Sequence, residues 1–89
     1  MHNTYIIGRK GDIYIRDNAV SRHHAQLTVS HNEVHLKDLD SANEVYLVKN
    51  GRLIRFFHGF VQLNQSVVIG SKQYTINQLL GMVGSHRAA

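Results

Sequence analysis

The 89-residue sequence has no cysteine, no proline and no tryptophan, and it has few acidic residues. The absence of cysteine excludes a disulfide framework and thiolate chemistry, and it fits a reducing compartment. The longest apolar runs span only a few residues, which argues against a membrane-spanning helix and a signal peptide. We therefore expect a soluble, cytoplasmic protein with no membrane partner.

The charge balance favours anionic partners. Ten Lys and Arg residues against six Asp and Glu residues give a formal net charge of +4. Such a surface attracts phosphorylated peptides, nucleic acids or acidic lipids, and charge alone does not discriminate among them. A chain of this length forms one domain with a modest core and has no room for a second lobe or a deep enzyme cleft.

Hydrophobic residues alternate with polar ones through most of the chain, as in the run from Ala25 to Val29. This period of two is typical of half-buried antiparallel strands. The predicted strands are residues 5–7, 13–15, 25–29, 34–37, 45–48, 53–57, 60–63, 67–69 and 73–76. Asn50-Gly51 is the strongest hairpin signal, because both residues tolerate the positive φ of a type I′ turn. Many short strands at near-regular spacing predict a β-sandwich or a small barrel.

The predicted strands define a domain of residues 1–76. In the stretch 77–89, an Asn77 cap followed by Leu79-Leu80 would allow one helical turn. Gly81, Gly84 and the small polar ending instead favour a tail or the start of a linker.

Three short polar elements lie between the strand-like runs. The chain carries them in this order: Gly8-Arg9, Ser21-Arg22-His23-His24, and Asp38-Leu39-Asp40-Ser41-Ala42-Asn43. Each is common by itself, but their order and spacing, each beside an alternating apolar run, resemble the forkhead-associated (FHA) domain, a phosphothreonine-peptide reader. The likeness covers roughly residues 5–76. It implies a small antiparallel β-sandwich that mediates phosphorylation-dependent protein interactions, without catalysis or cofactor, in a kinase-dependent signalling pathway or assembly.

The resemblance also implies a binding site. Arg9 and Ser21 would bind the phosphate, Arg22 would assist them, and Asn43 would hydrogen-bond the peptide main chain. The residue chemistry agrees, because a phosphothreonine carries about −1.5 to −2 charges and three strong acceptor oxygens. Its receptor needs fixed donors and at least one cation, and an arginine with a serine hydroxyl supplies both.

Two further residues would support this site. Gly8 would let the backbone turn, so that the following arginine reaches the loop edge. His24 would be structural, holding the loop that presents the serine. Taken one residue at a time, the arginines are better explained as solvated surface charges and Ser21 as a turn cap, whereas the ordered set of residues favours the binding site.

The sequence departs from the family pattern after Asn43, where Glu44 and Val45 replace the usual glycine and threonine. Loss of the glycine puts a Cβ where the backbone is expected to need an unusual φ, and Asn43 itself would then carry the strain. A Glu44 carboxylate near the phosphate would weaken binding, or would favour a ligand with a nearby Lys or Arg. Glu44 is therefore a possible specificity residue. These two departures also favour an alternative function, an FHA-like assembly module that binds independently of phosphate.

The N-terminus is shortened, since only seven residues precede Gly8 where the family commonly has two earlier strands. Their absence predicts an uncovered sheet edge at the final strand, residues 72–76. Open edges are seldom left long, flat and uncharged. We expect a weak homodimer through this edge, although the stretch 77–89 or a partner strand would also cover it.

Nucleic-acid binding is a second alternative. Arg52, Arg55, Phe56, Phe57 and Phe60 lie within nine residues of one another, and small β-domains bind single strands with basic grooves and stacking aromatics. However, the three phenylalanines lie in apolar runs that are expected to supply the core. No nucleic-acid partner is therefore expected.

Metal and catalytic sites are not expected either. His31 and His35 flank a predicted strand, so about 13 Å separates them and they cannot share one ion. A Ser21, His24, Asp38 triad lacks a nucleophile elbow, and a strand would place the imidazole about 10 Å from the serine.

Overall fold

The computed structural model describes residues 2–84. This part of the chain contains nine strands and one short helix. In chain order they are β1 (Asn3–Gly8), β2 (Ile13–Tyr14), β3 (Ala25–Val29), β4 (Val34–Asp38), β5 (Val45–Lys49), β6 (Arg52–Arg55), β7 (His58–Val61), β8 (Ser66–Ile69), β9 (Lys72–Thr75) and α1 (Ile76–Gly81).

The strands form two sheets. The five-stranded sheet has the order β2-β1-β3-β4-β7, and the four-stranded sheet has the order β6-β5-β8-β9. Neighbouring strands are antiparallel except β1 and β2, which pair in parallel through Ile7 and Ile13. The all-β sandwich expected from the alternating pattern is confirmed.

The core lies between the two sheets and is built from alternate residues of their strands. Leu27 and Leu36 lie opposite each other in the five-stranded sheet, and Val45 and Ile69 do so in the four-stranded sheet. All four are fully buried. Burial of one such side chain contributes about 1.5–3 kcal/mol, which explains why the period of two fixes the register.

The strongest predicted turn is confirmed. Asn50 and Gly51 connect β5 to β6, and both have positive φ, 52° and 76°. These values match the type I′ geometry that continues the right-handed twist of a hairpin.

The expectation that the phenylalanines supply the core is wrong for two of the three. Phe56 packs partly against the core, whereas Phe57 and Phe60 are mostly exposed. Phe57 lies between β6 and β7, Phe60 lies in β7, and each of these strands is at the edge of its sheet. An edge residue has a neighbouring strand on one side only, so an apolar pattern there does not ensure burial.

Residues 77–84 pack on the domain instead of leaving it as a tail. Helix α1 is capped by Thr75, not Asn77, in a reciprocal capping box with Gln78. Leu79 is fully buried, and Val83 forms a β-bridge with Ile13. Within residues 2–84, no helix is long and apolar enough to span a membrane. The rest of the predicted tail, residues 85–89, lies outside the described residues.

Candidate functional site

The three polar elements of the sequence meet at one end of the sandwich. The β1–β2 turn lies directly against the loop before β3: Arg9 N donates to Ser21 O (3.2 Å) and Lys10 N donates to Arg22 O (3.0 Å). A Cβ at position 8 would lie 2.7 Å from Ser21 O and closer still to the carbonyl oxygen of Arg22. Gly8 is thus required for close backbone approach. Gly8 also begins the turn towards β2, since Gly11 N donates to Gly8 O (3.2 Å). Its φ is not positive, so the glycine is needed for space and not for a left-handed backbone.

This approach places Arg9 beside Ser21. The Arg9 Nε donates to Val20 O (2.7 Å), which orients the exposed guanidinium, and its Nη groups have no hydrogen-bond partner among residues 2–84. Ser21 Oγ accepts a hydrogen bond from Ala42 N (3.0 Å). The hydroxyl hydrogen is therefore left to donate to a ligand, next to an oriented cation.

His24 joins two of the loops beneath the surface. Its side chain is fully buried, Nδ1 accepts from Ser21 N (2.9 Å) and Nε2 lies 2.8 Å from Glu44 O. Because Nδ1 accepts from an N–H group, the imidazole is the neutral Nε2–H tautomer, and Nε2 donates to the carbonyl. The ring thus fixes the backbone of both Ser21 and Glu44.

This geometry corrects the separation expected for Ser21 and His24. The segment is a turn and not a strand, so the imidazole reaches back to Ser21. The ring bonds the backbone N–H and not the hydroxyl, and Asp38 is bonded to Ser41 and Arg55. The three residues do not form a catalytic triad.

Asn43 and Arg9 bond neighbouring carbonyl groups, since Arg9 Nε donates to Val20 O. The Asn43 Nδ2 donates to Ala19 O (2.8 Å), which connects the loop after β4 with the loop before β3. Both Asn43 and Arg22 are exposed, and Arg22 has no side-chain partner among residues 2–84. Arg9, Ser21, Arg22 and Asn43 therefore lie on three loops that hydrogen bonds hold together.

Glu44 has a left-handed backbone, with φ of 66°. The unusual φ therefore lies at the position where the family usually has glycine, as expected, and it is not passed on to Asn43. The carboxylate accepts a hydrogen bond from Tyr46 Oη (2.7 Å) and lies 3.2 Å from Arg55 Nε. The Tyr46 hydrogen bond, with the Arg55 charge, lowers the pKa of Glu44 below its usual value. The negative charge predicted near the phosphate is thus paired within the protein.

A substitution pair isolates the backbone strain at Glu44. We expect Glu44→Gly to be more stable than Glu44→Ala by about 1 kcal/mol, because alanine keeps the Cβ that disfavours positive φ. Both variants lose the same carboxylate contacts, so the difference between their free energies of unfolding measures the backbone strain at position 44. Chemical denaturation of the two variants measures it, and equal midpoints with equal slopes would contradict it.

Arg55 is a supporting residue that the sequence analysis considered only as a nucleic-acid contact. Its Nη2 lies 2.9 Å from Asp38 Oδ2, and it also pairs with Glu44. Asp38 in turn accepts from Ser41 N (3.1 Å) and Ser41 Oγ (2.6 Å). Arg55 thus braces the loop that carries Asn43. No local sequence motif indicates these contacts, because Asp38 and Glu44 lie 17 and 11 positions before Arg55 in the chain.

The surface around Arg9 is basic. Arg9, Lys10 and Arg16 line an open depression of about 500 Å³, together with Tyr14, Asp17 and Asn18. The Asp17 carboxylate is occupied by Ser71: hydrogen bonds from its hydroxyl (2.6 Å) and its N–H (3.0 Å), with one from Ala19 N (2.8 Å), lower the pKa of Asp17 from 3.8 to about 2. The ionised Asp17 carboxylate stabilises the folded domain fully above pH 3.8, and this stabilisation is lost as the pH falls towards 2.

Residues 2–84 contain no cluster of His, Asp or Glu suited to a metal ion.

The family model that matches this chain is that of the FHA domain, over residues 5–73. The chain belongs to the FHA domain family. This FHA domain is similar to the FHA domain of the CT664 protein from Chlamydia trachomatis, at 31% identity over 82% of this chain and 73% of that one, with a TM-score of 0.70. No curated protein matches its sequence.

Two more distant structures share the fold. One comes from an analysis of phosphothreonine-dependent FHA domain interactions, with 20% identity, a TM-score of 0.73, and coverage of 82% of this chain and 74% of that chain. The other is the FhaA FHA domain complexed with the intracellular domain of Rv3910, with 22% identity, a TM-score of 0.67, and coverage of 80% and 76%. FHA domains are interaction modules, generally non-enzymatic, and the family is associated with phosphothreonine-dependent protein interaction.

Proposed function

We propose that this FHA domain binds phosphothreonine-containing peptides of a protein partner through Arg9, Ser21, Arg22 and Asn43, without catalysis or cofactor. The observation that carries the proposal is the pairing at Ser21. Its oxygen already accepts a hydrogen bond from Ala42 N, so the hydroxyl hydrogen is free to donate to a ligand beside the oriented guanidinium of Arg9. A phosphate needs this combination of a hydroxyl donor and a cation.

The remaining residues have distinct roles in this proposal. Arg22 adds a second positive charge next to Ser21, and Asn43 offers an amide carbonyl to the peptide main chain, since its NH₂ already donates to Ala19 O. Gly8 allows the two loops to approach closely, and His24 holds the backbone of Ser21 and Glu44. The basic depression beside Arg9 extends the positive field beyond the phosphate, so anionic peptides are attracted before they dock.

We expect Arg9→Ala and Ser21→Ala each to weaken phosphopeptide binding and leave the fold intact, because Arg9 is exposed and Ser21 lies in a surface loop. A hydrogen bond to a charged group contributes about 1.5–3 kcal/mol, so each change should cost roughly tenfold or more in affinity. Titration of matched phosphorylated and unphosphorylated threonine-peptide libraries first supplies a ligand, and the variants are then titrated with it.

Lys49→Ala is the control, since Lys49 is an exposed cation at the end of β5 that lies away from the loop carrying Asn43. It changes the net charge as Arg9→Ala does, and it should leave the affinity nearly unchanged. Equal affinities of wild type, Arg9→Ala and Ser21→Ala for a phosphopeptide that binds would overturn the site assignment. A wild-type chain that binds neither library would overturn the proposed function.

A phosphate-independent assembly module is the second candidate. The observation that favours it is Glu44, whose carboxylate is held by Arg55 and Tyr46 at the position where the family usually has glycine. Such a module would bind the phosphorylated and unphosphorylated libraries equally. The role of Glu44 in specificity, the cytoplasmic location and a weak homodimer through β9, an edge strand of its sheet, stay predictions.

A further inference from the structure

A groove opens at the end of the sandwich that lies opposite the candidate phosphate site. It has a volume of about 750 Å³ and lies between the β3–β4 turn, the β7–β8 loop and helix α1. Strand β3 begins at Ala25, shortly after the loop that carries Ser21, and ends at Val29, which lines the groove. The length of this strand therefore separates the groove from the three polar loops.

The floor of the groove is apolar. Val29 on β3 lies opposite Val34 on β4, which lies opposite Val61 on β7, so the three side chains share one face of the sheet. This is the core-facing side, because Val34 is buried and the other two pack against the core. Leu80 of α1 and Leu63, which is 50% exposed, complete the apolar lining. The hydrophobic core is thus continuous with the groove at this end of the domain.

The rim of the groove is polar. Four amide side chains line it and form no hydrogen bond with another residue of the described range 2–84: Asn32, Gln62, Asn64 and Asn77. An amide side chain donates to a main-chain carbonyl and accepts from a main-chain N–H with equal ease. An apolar floor with several such amides around it suits a polypeptide ligand, whose main chain needs both kinds of partner.

The charge at the groove is negative. Glu33, in the β3–β4 turn, lines it and forms no ion pair with a cation of residues 2–84, and no Lys or Arg of this range lines it. The groove thus differs from the basic depression beside Arg9 and from the whole chain, which has a net charge of +4. A cationic side chain is the electrostatic complement of this rim.

We propose that the groove binds an extended segment of a partner protein that carries Lys or Arg next to two hydrophobic residues separated by one polar residue. Neighbouring strands lie about 4.8 Å apart, so the floor from Val29 to Val61 spans roughly 10 Å, about three residues of extended chain. Side chains two residues apart in such a chain point to the same side, so both hydrophobic side chains rest on the floor. The cation then faces Glu33, and the amides bond the main chain. This binding needs neither phosphate nor Arg9 and Ser21.

Two other occupants fit the groove less well. A symmetric contact with a second copy of the chain would bring two Glu33 carboxylates together, which opposes pairing. A nucleic acid is opposed by the same carboxylate, because the part of the groove formed by residues 2–84 offers its phosphates no Lys or Arg.

The test uses two displayed libraries of short unphosphorylated peptides. Both contain two hydrophobic residues separated by one polar residue. The adjacent position carries Lys or Arg in the basic library and Asp or Glu in the acidic library, and we expect only the basic library to enrich binders. An enriched peptide is then titrated against wild type, Leu63→Ser, Glu33→Lys and two controls. Leu53→Ser removes a leucine that is 58% exposed on β6, outside the groove, and Arg9→Ala changes the phosphate loop.

We expect Leu63→Ser to lose about tenfold or more in affinity, and both controls to change less than about twofold. Glu33→Lys should lose about fivefold, since an exposed ion pair contributes less than an apolar contact. The same variant should prefer the peptide in which the cation is replaced by Glu, whereas wild type prefers the original. Amide exchange of the wild-type complex should slow along residues 29–34 and 61–64, which tests the groove even if a variant folds poorly.

The proposal is overturned if neither library or only the acidic library binds, if either groove variant binds as wild type does, or if the slowed amides lie elsewhere. It is also overturned if Leu63→Ser dissociates a wild-type dimer while the basic peptides do not bind.

Discussion

Gly8→Ala is expected to destabilise this FHA domain severely. The added Cβ would lie 2.7 Å from Ser21 O and nearer still to the carbonyl of Arg22, and both neighbours are backbone atoms that cannot rotate away. To admit it, the β1–β2 turn must separate from the loop before β3, which breaks the hydrogen bonds of Arg9 N and Lys10 N. We expect a loss of about 3 kcal/mol or more. For a domain of this size, that loss lowers the melting temperature by roughly 12 °C or more.

Gly81→Ala is the matched control. Gly81 is the last residue of α1, and a Cβ there would meet no atom within 4 Å. The same substitution should be neutral or should stabilise the domain by up to about 1 kcal/mol, because alanine favours helix. Thermal melting of the two variants measures the contrast. If Gly8→Ala melts within about 3 °C of wild type, a shift that corresponds to less than 1 kcal/mol, the two loops are not held in close contact.

The alternating pattern was enough to predict most of the fold, because burial on one face of a strand has a simple signature in sequence. The strand Ala25–Val29 has the predicted bounds, and the Asn50-Gly51 turn has the predicted geometry. The pattern does not say which strands lie at an edge. Phe57 and Phe60 were therefore expected in the core, and the parallel pairing of β1 with β2 was not foreseen.

The candidate site was predictable where chemistry is local and unpredictable where it depends on distant contacts. The order of the polar elements, through family resemblance, was enough to select Arg9, Ser21 and Asn43. Nothing near Arg55 in sequence indicates that it reaches Asp38 and Glu44 across the sandwich. Such a pairing depends on the register of β5 and β6, which only the assembled sheets determine.

His24→Ala is expected to cost about 3 kcal/mol of stability. The imidazole is fully buried and is bonded at both nitrogens, to Ser21 N and to Glu44 O. Removing it leaves an N–H and a carbonyl without their partners, and an unsatisfied buried group costs about 1–3 kcal/mol. It also leaves a cavity in which the surrounding atoms lose contacts. The melting temperature should fall by roughly 12 °C or more, well beyond the effect of Arg9→Ala.

His23→Ala is the control for this prediction, because His23 precedes His24 in the same turn but is exposed. It should leave the melting temperature unchanged within about 2 °C, and equal melting temperatures for the two variants would show that the buried bonds contribute nothing. The binding of a phosphothreonine peptide separates stability from positioning. His24→Ala should weaken it even well below the melting temperature, because the histidine fixes the backbone of Ser21, the proposed phosphate donor, and of Glu44, which follows Asn43. Its contribution to affinity is then one of pre-organisation, since the free domain already holds the loops in the conformation that the ligand requires.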